Sequence, residues 1–356
     1  MINDFLKKHL ETIKYPGFSR DIVSFGIVQE GILEDGIATI KIEVGGNDTS
    51  LPLSLKQEIE KTLQKEDSIT AVNVQIVVNK NSHSGSEPSS EGESTLGKVN
   101  RIIAIASGKG GVGKSTVAAN LACALSKEKK SDGTDRCLSI GIMDCDLYGP
   151  SIPLLLGASE QPAALDENLL APVESFGIQV MSMGLLVDEE TPVVWRGPMV
   201  MKTIQQFASN VEWGELDYLL IDLPPGTGDA QLSLAQILPL DGVIIVTTPQ
   251  KAAVDVARRG ARMFEKVNVP ILGVIENMSY LLNESTSEKS FLFGKGGGPT
   301  TAHSLKTVFL GEIPLHEEVR QGGDHGIPVT IGNPANPSSE AFSKIAKDLL
   351  AITPVV

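Results

Sequence analysis

Apolar positions in the second part of the chain fall in short continuous runs that alternate with helical patterns. Continuous runs of this length are typical of strands buried on both faces, and the helices between them predict parallel pairing through βαβ crossovers. Such sheets bind ligands beyond the carboxyl ends of their strands, so the residues after each run are candidates for chemistry. The predicted strands are Arg101 to Ala106, Leu138 to Met143, Tyr218 to Leu223, Gly242 to Thr247 and Pro270 to Ile275.

The first 80 residues have a mixed pattern that predicts a small α+β domain. Residues at helical spacing alternate with runs rich in β-branched and other apolar residues, which are typical of strands. The predicted elements are a helix near Asn3 to Ile13, strands at Asp21 to Val28 and Gly36 to Val44, a helix near Leu53 to Lys65 and a strand at Ala71 to Val78.

Residues 81–98 separate the two patterns and read NSHSGSEPSSEGESTLGK. They are rich in Ser, Gly and Glu and have no apolar period, a composition typical of flexible linkers. We therefore predict a small α+β domain over residues 1–80, a linker over 81–98, and over 99–356 an α/β domain whose mostly parallel sheet is flanked by helices.

Composition argues against several classes of partner. The chain of 356 residues has a formal net charge of −14, which repels a phosphate backbone, so no nucleic acid is expected. No run approaches the roughly 18 to 20 apolar residues that span a bilayer, and the N-terminus lacks the apolar block of a signal peptide. We therefore expect no membrane partner and a cytoplasmic location.

The chain has three cysteines, at positions that fit neither a disulfide framework nor a zinc site: Cys123, Cys137 and Cys145. Reduced thiols are therefore expected.

The first strand of the second domain runs directly into a glycine-rich loop. Residues 108–116 read GKGGVGKST, the phosphate-binding pattern G-x-x-x-x-G-K-[ST] between a strand and a helix. Its glycines let backbone N–H groups surround phosphate oxygens, Lys114 is placed to reach the β and γ phosphates, and the Ser115 hydroxyl to ligate magnesium. The predicted nucleotide-binding residues are Gly108, Lys109, Gly110, Gly111, Val112, Gly113, Lys114, Ser115 and Thr116.

Acidic side chains follow two other predicted strands. Asp144 and Asp146 stand where a strand-end acid can align an attacking water near a γ-phosphate; the alternative is that they cap a turn. Asp222 ends four apolar residues, the Walker B arrangement that places a carboxylate in the magnesium shell. The proline- and glycine-rich run after Asp222 suits a switch that senses the γ-phosphate.

Asn277 follows the last predicted strand and can hydrogen-bond a purine edge, with a simple turn role as the alternative. Guanine selection in the Asn-Lys-x-Asp arrangement also needs a carboxylate three residues on, where this chain has Tyr280. Adenine is therefore the predicted base.

Several segments occur in one order: GKGGVGKST, DCDLYGPSIP, WRGPM, DYLLIDLPPGTGD and GVIENMS. Together they resemble the Mrp/ApbC family of iron–sulfur cluster carrier ATPases over roughly residues 99–345. Lys109 resembles the extra loop lysine of the deviant Walker A class, the MinD and ParA type of P-loop NTPase; a solvated loop lysine is the alternative. Residues 17–28 and the elements after them resemble the iron–sulfur assembly (MIP-type) domain that often precedes this ATPase.

The resemblance implies an ATP-hydrolysing homodimer that sandwiches ATP and Mg²⁺, with Lys109 reaching the partner's nucleotide. It implies catalytic roles for Lys109, Lys114 and Asp146. It also implies a magnesium site formed by Ser115, Asp144 and Asp222, partly through water. Iron–sulfur assembly proteins or recipient apoproteins are the partners expected of such a carrier.

The chain departs from this family at the cluster ligands. Members that carry a cluster usually have a Cys-x-x-Cys pair soon after Asn-Met-Ser, but no cysteine occurs between Met278 and Gly294 or in the first domain. Cys123 and Cys137 are expected to be core residues, and Cys145 lies between two acids of the predicted magnesium site. The cluster ligands are therefore unknown, and whether a cluster is bound stays open.

Two other functions fit the sequence: a ParA- or MinD-like positioning ATPase, and a nucleotide-gated scaffold without a cluster. MinD-type anchoring needs a basic amphipathic helix at the C-terminus. The stripe there is offset by acidic neighbours, so we expect it to dock on the core. Its residues are Phe342, Ile345, Ala346, Leu349 and Leu350.

Overall fold

A computed structural model of the chain separates into two compact units, residues 1–90 and 91–356. The described residues are 3–10, 12–13, 22–23, 28–34, 36–45, 50–63, 66, 69–79, 95–130, 134–147, 149–166, 169–186, 197–226, 229–283 and 285–355. Most of the predicted linker lies outside this part of the chain, so the predicted domain boundaries stay predictions.

In its described residues, the first unit is a three-stranded sheet with two helices. The central strand β2 (Ile37–Gly45) pairs antiparallel with β1 (Val28–Glu34) and parallel with β3 (Ala71–Asn79). A parallel pair needs a crossover, which α2 (Ser50–Leu63) provides, and α1 (Asp4–Leu10) packs beside it. Helical spacing and strand alternation place their apolar residues in one core that contains Leu6, Leu10, Ile40, Ile42, Leu55, Ile59 and Leu63.

The strand predicted at Asp21 to Val28 is wrong at residues 22 and 23 and correct at Val28, where β1 begins. Residues 22–23 form a turn, and 21 and 24–27 lie outside the described part of the chain. β1 forms a hairpin with β2, in which Glu34 pairs with Ile37. The residues between them read Asp-Gly, a dipeptide typical of two-residue hairpin turns.

The second unit is built on a large sheet with helices on both faces. Its strands are β4 (Val99–Ser107), β5 (Ile140–Asp144), β6 (Ala164–Asp166), β7 (Leu169–Leu170), β8 (Val173–Ser175), β9 (Ile178–Ser182), β10 (Leu216–Asp222), β11 (Gly242–Thr247), β12 (Ile271–Glu276), β13 (Leu281–Leu282), β14 (Lys289–Ser290) and β15 (Val308–Glu312). Its helices are α3 (Lys114–Leu125), α4 (Ile152–Leu155), α5 (Gly197–Ser209), α6 (Asp229–Ile237), α7 (Lys251–Lys266), α8 (Gly297–Leu305), α9 (Glu317–His325), α10 (Val329–Gly332) and α11 (Pro337–Ile352).

The main sheet has eight strands in the order β15-β12-β11-β4-β10-β5-β9-β8. All its pairings are parallel except β8 with β9. Because side chains alternate across a strand, Ile103 and Ile105 of β4 belong to the core on one face, and Ile102 and Ala104 to the core on the other. The predicted fold class, a mostly parallel sheet flanked by helices and preceded by a small α+β region, is confirmed.

The C-terminal helix α11 lies on one of these cores. Its predicted docking is confirmed, because four stripe residues are buried and Leu350 is partly buried against the same cluster. The tail beyond α11 is held at the amino ends of two central strands: the Tyr218 hydroxyl donates to the Thr353 carbonyl, and Arg101 donates to the Pro354 carbonyl at 2.9 Å.

Candidate functional site

The loop after β4 is shaped by glycines, at which a larger residue would be strained or would clash. Gly111 and Gly113 have φ of 79° and 77°, a left-handed conformation that suits glycine. A Cβ on Gly113 would lie 2.3 Å from Asn277 Nδ2, and one on Gly108 would lie 2.5 Å from the backbone nitrogen of Ala257. The loop therefore wraps closely at the N-terminus of α3, where backbone N–H groups and the helix dipole favour an anion.

Lys114 and Ser115, the first residues of α3, both contact Asp222 at the end of β10. Lys114 Nζ lies 2.5 Å from Asp222 Oδ1, and Ser115 Oγ donates to Asp222 Oδ2 at 2.6 Å. Asp222 is fully buried and Lys114 is 5% exposed. Burial raises the pKa of Asp222, while Lys114 and Ser115 act in the opposite direction. The predicted Walker A and Walker B residues thus meet in one buried cluster.

Asp144 lies beside this cluster, because it is in register with Asp222 on the adjacent strand β5. Its carboxylate accepts from the Asp146 and Ile152 backbone N–H groups at 3.0 and 3.2 Å, and from the Ser182 hydroxyl at 3.2 Å. Burial, and secondly the like charge of Asp222, raise the pKa of Asp144 to about 7. Asp144 therefore holds the loop that follows β5, a contact that the sequence did not predict.

A cavity of about 270 Å³ opens over the glycine-rich loop. Asp146, Ser151 and Pro225 line it together with the loop from Lys109 to Thr116. The structure therefore brings Asp146 to the same cavity as Lys114 and Ser115, as expected for a group that aligns a nucleophile near a bound phosphate.

A second cavity of about 300 Å³ adjoins the first, and Gly113 and Thr116 line both. Asn277, Met278 and Leu315 contribute to its walls. The Asn277 side chain donates to the Val112 carbonyl at 2.9 Å and accepts from the Met278 N–H. Asn277 is therefore fixed against the phosphate loop and faces a mainly apolar space.

Gln231 on α6 lines neither cavity but contacts two segments beside the first one, and the sequence analysis missed it. Its side chain is 2% exposed and donates to the carbonyls of Ser107 and Pro224 at 3.2 and 2.5 Å. Gly226 N–H also donates to the Ser107 carbonyl, so the segment after Asp222 is tied to the end of β4. A polar residue on an otherwise apolar helix face next to Pro224–Gly226 was the available signal.

Lys109 is half-buried, and its Nζ lies 3.5 Å from Gln250 Oε1 at the start of α7. Its carbonyl accepts from the Ser107 hydroxyl at 3.1 Å. The structure thus places Lys109 at the rim of the first cavity, away from the buried Lys114 cluster.

The segment in which the family resemblance predicts a Cys-x-x-Cys pair contains a short antiparallel pair, β13 with β14. Lys289 holds it to the sheet by an ion pair with Glu312 at 2.7 Å and by lying 3.7 Å from the centre of the Tyr280 ring. Within the described residues, no group of three or more His, Cys, Asp and Glu side chains is arranged to hold a metal ion.

The chain's three cysteines all lie within the described residues, and they do not form a site. Cys123 and Cys145 are buried, and burial raises the pKa of Cys123 to about 12 and that of Cys145 well above its usual value. The expectation that Cys137 is a core residue is wrong: Cys137 is exposed, because the strand begins only at Ile140 and Cys137 lies in the extended segment before it.

A family model for ParA/NUBPL iron-transfer P-loop NTPases matches residues 98–350. The chain belongs to this family. An iron–sulfur cluster carrier protein of Helicobacter pylori is 40% identical over 96% of this chain and 90% of its own length. The mouse iron–sulfur cluster transfer protein NUBPL is 44% identical over 71% of this chain and 77% of its own length.

Two solved structures have the same fold as the NTPase unit of this family member. A nucleotide-binding protein from Archaeoglobus fulgidus in complex with ADP is 38% identical, with a TM-score of 0.59 over 70% of this chain and 94% of that chain. The cell division ATPase MinD of Pyrococcus furiosus is 23% identical, with a TM-score of 0.51 over 71% of this chain and 99% of that chain, and shows the fold alone. Among the described residues, no helix has the length and apolar character to cross a membrane.

Proposed function

We propose that this protein is a magnesium-dependent ATPase that works as a homodimer in iron–sulfur cluster assembly. The observation that supports it most directly is the buried cluster in which Lys114 and Ser115 both contact Asp222 under the glycine-rich loop. Lysine, hydroxyl and carboxylate at these places are the groups that P-loop NTPases use for phosphate and magnesium.

The donors present suit magnesium. Mg²⁺ is usually held by one or two protein oxygens together with phosphate oxygens and waters, so Ser115 and Asp222 are a sufficient protein contribution. Bound there, Mg²⁺ would neutralise charge that develops on the transferred phosphoryl group. The cavity above these donors is lined by the glycine-rich loop, whose backbone N–H groups favour the phosphate oxygens that would complete the magnesium shell.

The chain's own residues supply binding and alignment. Loop N–H groups bind phosphate oxygens, and Lys114 exchanges Asp222 for the β and γ phosphates. Asp146, at the wall of the same cavity, orients the attacking water and accepts its proton. Asp144 contributes mainly by fixing the backbone of the loop that carries Asp146. Hydrolysis to ADP and phosphate follows from this arrangement.

The second cavity is our proposed site for the adenine base. It adjoins the phosphate cavity through Gly113 and Thr116, and Met278 and Leu315 offer apolar contacts to a flat ring. Asn277 supplies amide groups at its edge, already oriented by Val112. The solved relative with ADP supports a nucleotide in this fold.

The homodimer and the role in iron–sulfur assembly rest on the family. Lys109 at the rim of the phosphate cavity suits the extra lysine that reaches a partner's nucleotide in MinD- and ParA-type enzymes. Relatives named iron–sulfur cluster carrier or transfer proteins suggest recipient apoproteins as partners. The proposal includes the cytoplasmic location predicted from the sequence.

The cysteines do not fit a cluster shared between two copies. Such a cluster takes four thiolates, two from each chain. Of this chain's three cysteines only Cys137 is exposed. We therefore assign no step to a cluster held by thiolates of this chain, and propose that its nucleotide cycle acts on other assembly proteins.

Titration calorimetry tests the proposal. Well-folded protein should bind ATP only with magnesium present, and bind GTP more weakly. Phosphate release should accompany binding, and light scattering should report a dimer with ATP. Absence of magnesium-dependent ATP affinity would refute the proposed function.

A further inference from the structure

A row of three buried polar side chains crosses the sheet below the phosphate cavity. Ser182 on β9 is in register with Asp144 on β5, which is in register with Asp222 on β10. Their exposures are 0%, 1% and 0%. Asp222 and Asp144 are explained by the nucleotide site, whereas Ser182 lies two strands away from Asp222 and is not used by the proposed chemistry.

The Ser182 hydroxyl is fully engaged. It donates to Asp144 Oδ2 at 3.2 Å and accepts from Gly184 N–H at 3.1 Å, which caps the 3₁₀ turn Met183–Leu185. A Cβ on Gly184 would lie 3.3 Å from Pro150, so this turn packs closely against the loop that follows β5. Ser182 is therefore linked to that loop indirectly in two ways. Its hydroxyl donates to Asp144, which binds the loop, and it caps the turn that packs against Pro150.

The loop between β5 and α4 carries Asp146. Asp144 accepts from Asp146 N–H on one carboxylate oxygen, and from Ile152 N–H on the oxygen that also accepts from Ser182. The Asp144 carboxylate thus fixes both ends of the loop. Without the Ser182 hydroxyl, it would lose its third donor and one constraint on its orientation.

We propose that Ser182 is a positioning residue for ATP hydrolysis, which acts through Asp144 to hold Asp146 at the phosphate cavity. This inference rests on the proposed function. Ser182 lines neither cavity, so its removal should affect the alignment of water more than the binding of ATP.

The test compares Ser182→Ala, and the nearly isosteric Ser182→Cys, with Ser339→Ala as the matched control. Ser339 is also buried, and the carbonyls of Val329 and Asn333 share the proton of its hydroxyl at 2.9 and 2.7 Å. None of these three residues lines the phosphate cavity. Both Ser182 variants should lower kcat about three- to tenfold, the effect of one hydrogen bond, with the Kd for ATP changed less than twofold. Ser339→Ala should keep the kcat of the wild type.

A double-mutant cycle with Asp144→Ala shows whether Ser182 acts through Asp144. In that background Ser182→Ala should change single-turnover hydrolysis less than twofold, because the acceptor is gone. Folded Ser182 variants with wild-type kcat, an equal loss in kcat and ATP affinity, or additive effects in the cycle would each overturn the inference and leave the proposed function intact. If wild-type protein lacks magnesium-dependent ATP binding, the proposed function fails first and the inference with it.

Discussion

The segments after β10 and after β12 both begin at the carboxyl ends of parallel strands, but their side chains are arranged differently. At the end of β10, Asp222 is fully buried and contacts Lys114 and Ser115 within 2.6 Å. After β12, the hairpin is held by Lys289 and Glu312, which are 41% and 39% exposed. Burial of the Asp222 and Lys114 charges costs desolvation free energy, which a bound ligand can offset. The Lys289–Glu312 pair is exposed, so it contributes little to the free energy of unfolding.

This difference separates two parts of the family's function. The nucleotide end has the groups that phosphate and magnesium require, in buried and mutually dependent positions. The hairpin end, where the family resemblance predicts a Cys-x-x-Cys pair, has an aromatic ring and a lysine instead. The two segments therefore differ in burial and in the chemistry of their side chains, although both follow parallel strands of one sheet.

Of the changes predicted here, removal of the Lys114 side chain should lower the rate of ATP hydrolysis most. Lys114→Ala should lower ATP hydrolysis at least about 100-fold, because the phosphate loses its main cation. The matched control is Lys130→Ala, which also breaks a largely buried Lys–Asp pair, with Asp217. Malachite-green phosphate assays on both variants, with melting curves, separate chemistry from stability. If the Lys130 variant loses hydrolysis equally, the loss reflects destabilisation alone.

Asp146→Ala should come next. ATP should still bind, hydrolysis should fall about 100-fold because the aligned water is lost, and the homodimer should persist with ATP. Light scattering and phosphate release measure the two effects. Asp135→Ala removes an acid that is 89% exposed and serves as control. A monomeric Asp146 variant in the presence of ATP would contradict the sandwiched dimer.

The buried carboxylates predict a pH dependence of the ligand-free protein. The pKa of Asp144 is about 7 in the fold against 3.8 for an ordinary aspartate, so between these values the folded state binds more protons than the unfolded state. The free energy of unfolding should therefore fall as pH rises from about 4 to about 7, and level off above that range. Asp144→Asn should flatten this slope in urea titrations. A slope that is unchanged in the variant would show that other groups cause it.

Asn277→Ala should have a smaller effect, on affinity alone. Loss of the amide leaves the Val112 carbonyl without its donor and removes an edge contact to the base, so ATP should bind about tenfold more weakly. Discrimination between ATP and GTP should narrow as well. Asn283→Ala, in the hairpin, is the control and should bind as the wild type does. Unchanged nucleotide selectivity in the Asn277 variant would place the base elsewhere.

The smallest change is expected in the visible absorption spectrum after anaerobic reconstitution with iron and sulfide. We expect no stable visible chromophore near one cluster per dimer, since only Cys137 offers an exposed thiol. Cys137→Ser should give the same spectrum as the wild type. A stable chromophore in the wild type would contradict the conclusion that the chain lacks ligands for a cluster.

The sequence predicted the central strands and the phosphate loop well, because both depend on local patterns. Continuous apolar runs identified β4, β5, β10, β11 and β12, and glycine spacing identified the loop. The strands β8, β9 and β15 were not predicted. They are short and include polar residues, and their pairing depends on neighbours distant in the chain.

The contacts of Asp144 show why the rest of the site was harder to predict. Its place after a buried strand suggested an acid near the metal, but its hydrogen bonds to Ile152 and Ser182 depend on how a loop folds back and on the register of β9. Cys137 shows the same limit, because its exposure depends on where the strand begins. Both facts are properties of tertiary packing rather than of local spacing.

The tail that Tyr218 and Arg101 hold lies at the amino ends of β10 and β4, while the glycine-rich loop and Asp222 lie at their carboxyl ends. The chain also enters the NTPase unit there, through the turn Thr95–Lys98 that leads into β4. Entry and exit of this unit are thus at the far side from the loop. Fluorophores or surface tethers attached at the tail would therefore be joined to this unit on the side opposite the glycine-rich loop.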